Sequence, residues 1–176
     1  MTADPTAAMG DMRDGDETGT AKDDSPPPVA AHPPLLFPGM VCLALALDGL
    51  VPLTEGAWSV WLRFGLGSAV VVLAVLLAGW AAWEFHRVGT PIPTFRPARR
   101  FVASGPYAFT RNPMYLGLVL LLVGLGLLLA SAWTLLLVPV FVVLLDRLVI
   151  AREEPYLAAR FGAPYSEYLS RVRRWL

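Results

Sequence analysis

Apolar residues in this chain run in long blocks, and the breaks between blocks fall at proline, glycine or arginine. Phe64 to Trp83 is twenty residues without a charge, enough for roughly one crossing of a ~30 Å hydrocarbon core. Leu35 to Leu53 is a second block, interrupted by Pro38 and carrying Asp48. Pro113 to Leu145 is thirty-three uncharged residues, which as a helix at ~1.5 Å per residue is about 50 Å, too long for one crossing. The small residues Ala130-Ser131-Ala132 divide it, predicting helices over Pro113 to Ala130 and Trp133 to Ile150 in a tight hairpin. Trp133 then falls at an interface, where indole is favoured. The pattern predicts an all-α membrane protein of about four transmembrane helices, the last two forming a C-terminal helical hairpin.

Beyond Ile150 the pattern changes. Pro155 predicts a stop or kink, Gly162 a helix end, and Pro164 the start of another helix. From there Tyr165, Tyr168, Leu169, Val172 and Trp175 fall on one face, with mostly serines, Glu167 and arginines opposite. That spacing predicts a short amphipathic tail helix, Pro164 to Trp175, lying on the cytoplasmic membrane surface.

Composition agrees with the membrane assignment: 56% of residues are hydrophobic and the mean hydropathy is +0.56. The net charge of zero hides a partition. Residues 1–33 carry seven acids, two basic residues and no aromatic ring, too little apolar area to offset the entropy of ordering them. They read as a disordered acidic segment, with the membrane domain over residues 34–176. One cysteine and two histidines argue against an internal disulfide or a Cys/His metal site. The acidic, proline-rich start is the wrong opening for a cleaved signal peptide.

From residue 34 on, twelve basic residues stand against seven acids. Arg87, Arg96, Arg99, Arg100 and Arg111 lie between Trp83 and Pro113, and Arg152, Arg160, Arg171, Arg173 and Arg174 lie in the tail. The positive-inside rule then places that connector and both termini in the cytoplasm of a bacterial inner membrane or its equivalent.

Two stretches carry candidate chemistry. In "GPYAFTRNPMYLG", Gly105 to Gly117, two prolines push the residues before them toward extended backbone and predict a fixed loop. Asn112-Pro113 reads as N-cap and first residue of a helix, pointing free N–H groups and a positive dipole end at the membrane boundary. Arg111 adds a fork suited to a carboxylate or phosphate, and Tyr107, Phe109 and Tyr115 add ring faces for a cation or a base. Gly117 and Gly124 share a face, the pattern of close helix packing. The second stretch holds Glu153 and Glu154, placed by the pattern at the negative end of the last helix dipole, where acids are unfavourable by ~0.3–1 kcal/mol without a cation. Arg147 or Arg152 would serve; so would a ligand with hydroxyls and a positive centre. An anion site, aromatic faces and paired carboxylates suit S-adenosylmethionine.

The pairing of G-P-Y-x-x-x-R-N-P-x-Y-x-G with E-E-x-Y-L-x-x-x-F-G-x-x-Y-x-x-Y-x-x-x-V-x-R-W resembles the isoprenylcysteine carboxyl methyltransferase and phospholipid methyltransferase group of integral membrane enzymes. It covers about Arg100 to Trp175. The resemblance implies an S-adenosylmethionine pocket at the cytoplasmic boundary and direct methyl transfer to a lipid-like or isoprenoid-like acceptor. By position it implicates Arg111, Asn112, Pro113, Tyr115, Gly117, Glu153, Glu154 and Leu157 in holding the cofactor, and Tyr107 joins them through the ring face read above. Glu154 is the catalytic candidate, with Arg171 for an anionic acceptor group. Many members have His where this chain has Asn112, and Asn cannot serve as an acid or base near neutral pH.

Two other classes fit parts of the chain. Asp48 or Glu84 could couple protons in a small transporter, since an intramembrane acid is a functional candidate by default. The acidic N-terminal segment could serve a membrane-anchored interaction module. Neither accounts for the two motifs.

Overall fold

The computed structural model describes residues 33–53, 58–92 and 100–176. The segment expected to be disordered, apart from Pro33, lies outside the described residues, as do Arg96 and Arg99. Helix α1 spans Pro33–Leu50. A π turn, Trp61–Leu66, leads into α2, Gly67–Val88. Helix α3 is Pro113–Leu129 and α4 is Ala132–Leu145. A second π turn, Asp146–Ile150, joins α4 to α5, Ala151–Phe161, and α6 is Ala163–Arg171.

The hairpin breaks where the small residues predict. Ala130 takes a left-handed conformation at φ 53°, and the Ser131 side chain accepts from the Thr134 N–H to cap α4. Pro155, by contrast, does not stop its helix. Ala132–Phe161 is one helical run of 30 residues, and Pro155 sits inside α5. The π turn just upstream shifts the hydrogen-bond register, the Ala151 N–H reaching Asp146 O.

Among the described residues, two helical runs are long and apolar enough to cross a membrane, Trp61–Val88 and Ala132–Phe161. Leu35–Leu50 and Pro113–Leu129 are apolar but shorter. Outward from the bundle point Leu43, Leu45, Leu73, Leu76, Trp80, Leu136 and Val143, all exposed. So broad an apolar surface suits hydrocarbon, not water.

Helix α3 lies between α2 and α4 and owes its place to glycine. A Cβ on Gly117 would sit 3.0 Å from the Ala78 Cβ, and one on Gly124 would sit 2.6 Å from Val71 Cγ2. Backbones that close make the packing that holds helices together in lipid, where burying apolar surface gives no advantage. On the other side, Leu122, Phe141, Leu145, Val149 and Ile150 form the main core, with Met40 of α1 closing it. At the far end Arg63 Nη2 donates to Leu128 O (3.2 Å), a cation against the C-terminus of α3. There too Trp133 Nε1 donates to Val51 O (2.8 Å), tying α4 to the end of α1.

Candidate functional site

The site lies at the opposite end, where α3 begins. Gly105 has φ +61°, a conformation that suits glycine. It starts a 3₁₀ turn, Gly105–Ala108, with Pro106 in the first turn. The turn delivers Tyr107 to the interior, its ring edge-on to Phe85 at 5.3 Å. The Tyr168 hydroxyl donates to Tyr107 O at 2.7 Å.

Asn112 does precede α3, and its carbonyl accepts from the Leu116 N–H (2.9 Å). Its side chain, however, does not cap the helix. Asn112 Nδ2 donates to Arg174 O (3.0 Å), alongside Thr110 Oγ1 to the same carbonyl (3.1 Å) and Arg111 N to Arg173 O (2.9 Å). A competing acceptor from the C-terminal strand-like end has captured the amide. The chain leaves helix geometry at Val172, φ −113° and ψ 132°, so α6 stops short of the expected Trp175.

The carboxylate pair also differs from expectation. Because the helix continues to Phe161, Glu153 and Glu154 occupy the first turn of α5 rather than a terminal negative pole. Glu154 pairs with Arg111 (Nη1 to Oε1, 3.1 Å) and is gripped by Arg174, whose Nε reaches Oε1 at 3.1 Å and whose Nη2 meets Oε2. At Glu154 the cations are thus Arg111 and Arg174 rather than Arg147 or Arg152. Arg174 also donates to both oxygens of Asp146 (3.0 and 3.3 Å), and these carboxylates, Glu154 first, hold its guanidinium above its usual range. Glu153 accepts from the Tyr115 hydroxyl at 2.8 Å.

Between these groups lies a cavity of about 270 Å³, lined by Tyr107, Arg111, Asn112, Tyr115, Glu153, Glu154 and Leu157 among others. That is near the lower end of the ~300–1,000 Å³ typical of small-molecule pockets. Its far wall is aromatic. Phe101 meets Tyr165 and Tyr168 edge-on at 5.7 and 5.1 Å. The apolar face of α6 is therefore packed on the protein, with Tyr165 and Tyr168 buried. Burial pushes the Tyr168 phenol up to about 12, with Arg111 pulling the other way. Burial raises Tyr107 too, helped by Tyr168 and Glu153.

One buried donor here has no partner among the described residues: Arg111 Nε. An orphaned guanidinium N–H on a cavity-lining arginine is what a ligand carboxylate would satisfy. The donor set thus fits a zwitterionic ligand with an anionic end and a cationic end. Beside the cavity a shallow apolar groove runs between α2 and α3, floored by Ala74, Ala78, Ala82 and Gly117. Ala78, Met114 and Leu118 line both, so the two adjoin.

Of the other expected site residues, Pro113 is fully buried as the first residue of α3, and Gly117 serves helix packing and the groove. Arg171 is not brought in. It pairs with Glu167 (3.3 Å) one turn away on the exposed side of α6, and it does not line the cavity. Arg174, the arginine of the closing R-W pair, takes the central place that spacing alone assigned to no residue. Phe101 was also missed, and nothing in its local sequence marks it. Asp48 stands in the last turn of α1, far along the chain from both motifs.

Residues 62–164 match the family model described as phospholipid methyltransferase. An uncharacterized protein of Haemophilus influenzae is 43% identical over 63 residues, covering 36% of this chain and all of that relative. No solved structure matches the chain.

Proposed function

The chain belongs to the phospholipid methyltransferase family, a membership that implies methyl transfer to a lipid-like acceptor, and we propose that S-adenosylmethionine is the donor. The observation that carries this reading is the 3.1 Å pairing of Arg111 with Glu154 in the wall of a cavity. It joins two motifs forty-odd residues apart in sequence around one cavity that fits a zwitterion.

When bound, S-adenosylmethionine supplies an electrophilic methyl group on a sulfonium. The protein's own contribution is binding, orientation and exclusion of water. Arg111, with its free Nε, holds the methionine carboxylate. Glu153 and Glu154 take the ammonium or the ribose hydroxyls. Tyr107, Tyr115 and Phe101 offer ring faces to positive charge and keep the cavity dry. Asn112 moves no proton; its amide is engaged by the Arg174 carbonyl. The acceptor, a lipid-like or isoprenoid-like molecule, approaches along the α2–α3 groove from within the bilayer. In this reading α1 to α4 all span, both termini are cytoplasmic, and the cofactor enters from the cytoplasm.

Isothermal titration of the detergent-purified protein with S-adenosylmethionine tests the donor. Glu154→Gln should fold and bind roughly ten- to a hundred-fold more weakly, since a hydrogen bond to a charged group is worth about 1.5–3 kcal/mol. Unchanged affinity in both Glu153→Gln and Glu154→Gln would remove the carboxylates from the site.

A further inference from the structure

Glu84 lies near the C-terminal end of α2, where the helix dipole disfavours an acid, and only 6% of it is exposed. A carboxylate in such a place must be held by partners. It has two. Arg87 Nη2 and Ser104 Oγ each donate to Glu84 Oε2 at 2.7 Å, and Arg87 Nη2 also reaches Ser104 Oγ at 3.2 Å. The three side chains close a triangle between the end of α2 and the residue that opens the GPY turn.

The next residue completes the fit. A Cβ on Gly105 would lie 2.7 Å from Glu84 Oε1 and 2.8 Å from its Cδ and Cγ. Glycine is needed there twice over, for its φ of +61° and because the Glu84 side chain fills the space a Cβ would take. Two residues on, Tyr107 stands in the cavity wall against Phe85, the α2 residue adjoining Glu84.

We infer that Glu84 is a positioning residue: its carboxylate clamps Ser104 and Gly105 and so sets the turn that presents Tyr107 to the cavity. This clamp is distinct from the C-terminal one, which holds Thr110, Arg111 and Asn112 from the other side. The clamp itself stands on the geometry; its effect on binding rests on the cavity being the donor site.

The test measures two things on the full-length, detergent-purified protein. Amide exchange over residues 105–112, without ligand, reads the clamp. Titration with S-adenosylmethionine reads its consequence. Glu84→Ala should speed exchange in that segment about tenfold and raise Kd about tenfold, the scale of one charge-assisted bond, with α3 and α4 exchange unchanged. Glu84→Gln keeps an acceptor for Ser104 and should return both readings to within about threefold of wild type. Gly105→Ala should mimic Glu84→Ala. Wild-type exchange over 105–112 in a folded Glu84→Ala protein overturns the clamp. So does an equal loss of protection throughout the protein, which marks a general stability role. Should Glu84→Ala fail to fold, Ser104→Ala removes one donor alone, and unchanged exchange in that variant overturns it instead. If the wild type does not bind S-adenosylmethionine, the donor assignment falls while the exchange arm still decides the clamp.

Discussion

Midway along α3, Gly124 lets the helix come so near α2 that an added Cβ would meet the Val71 N at 3.0 Å. At the start of α3, Thr110, Arg111 and Asn112 are held by three hydrogen bonds to the C-terminal Arg173 and Arg174. The first region is held by shape and the second by named polar partners. The surroundings account for the difference. A bundle in hydrocarbon gains nothing from burying apolar side chains, so close van der Waals fit must do the joining. At the boundary, water competes for every polar group, and only paired and enclosed ones stay fixed.

The two regions should therefore fail differently. Gly124→Leu should do the most damage, because Val71 backbone cannot yield as a flexible side chain would. Overpacking of this kind costs about 1–3 kcal/mol or more, and the expected result is loss of monodisperse protein in size exclusion. Gly79→Ala, where a Cβ meets nothing within 4 Å, should leave yield and Tm unchanged. Equal tolerance at both positions would mean that shape is not what holds α2 to α3.

Sidedness is the next largest effect, and it is all or none. Cysteine probes placed at residues 96–100 should label only from the cytoplasmic side, given the five arginines between Trp83 and Pro113. Labelling from outside would put the cavity in the wrong compartment for a cytosolic cofactor.

The groove connects the two regions, and its use is measurable. With the acceptor in vesicles, turnover should follow its surface density. A water-soluble analogue with the same head group should react about tenfold more slowly or worse, since each CH₂ contributes ~0.8 kcal/mol to membrane concentration. Equal turnover at matched bulk concentration would show entry from water.

The smallest expected effect belongs to the polar end. Tyr168 is a phenol near 10 when unfolded and about 12 when folded. The native state thus holds its proton more tightly. The stability it contributes is complete below pH ~10 and is lost as pH rises toward about 12. The tail around α6 should become protease-sensitive across that window, ahead of the bundle. Tyr168→Phe should lessen the dependence, Tyr107 and Tyr165 being raised by burial as well, while costing about 1 kcal/mol for the lost bond to Tyr107 O. An unchanged alkaline midpoint in the variant would assign the loosening to another group.

Much of this was legible in the chain alone. Uncharged blocks, Ala130-Ser131-Ala132, Asn112-Pro113 and Gly162 place the helices and their breaks, because burial in hydrocarbon and backbone sterics act on each residue whatever its distant partners. The two motifs likewise mark both halves of the cavity, and Tyr107, Arg111, Tyr115, Glu153, Glu154 and Leu157 line or close it. Pairing is another matter. Arg171 and Arg174, three apart, would share a face if α6 ran on, and sequence alone gave no reason to prefer the second. The chain turns extended at Val172, leaving Arg171 with Glu167 on the exposed side and bringing Arg174 to Glu154 and Asp146. Asn112 left its expected cap for a carbonyl 62 residues away. Glu84 found Ser104 twenty residues on. Which residues become helical follows from local sterics and the solvent around them. Which charge meets which depends on where separate helices come to rest, and only the packed structure fixes that.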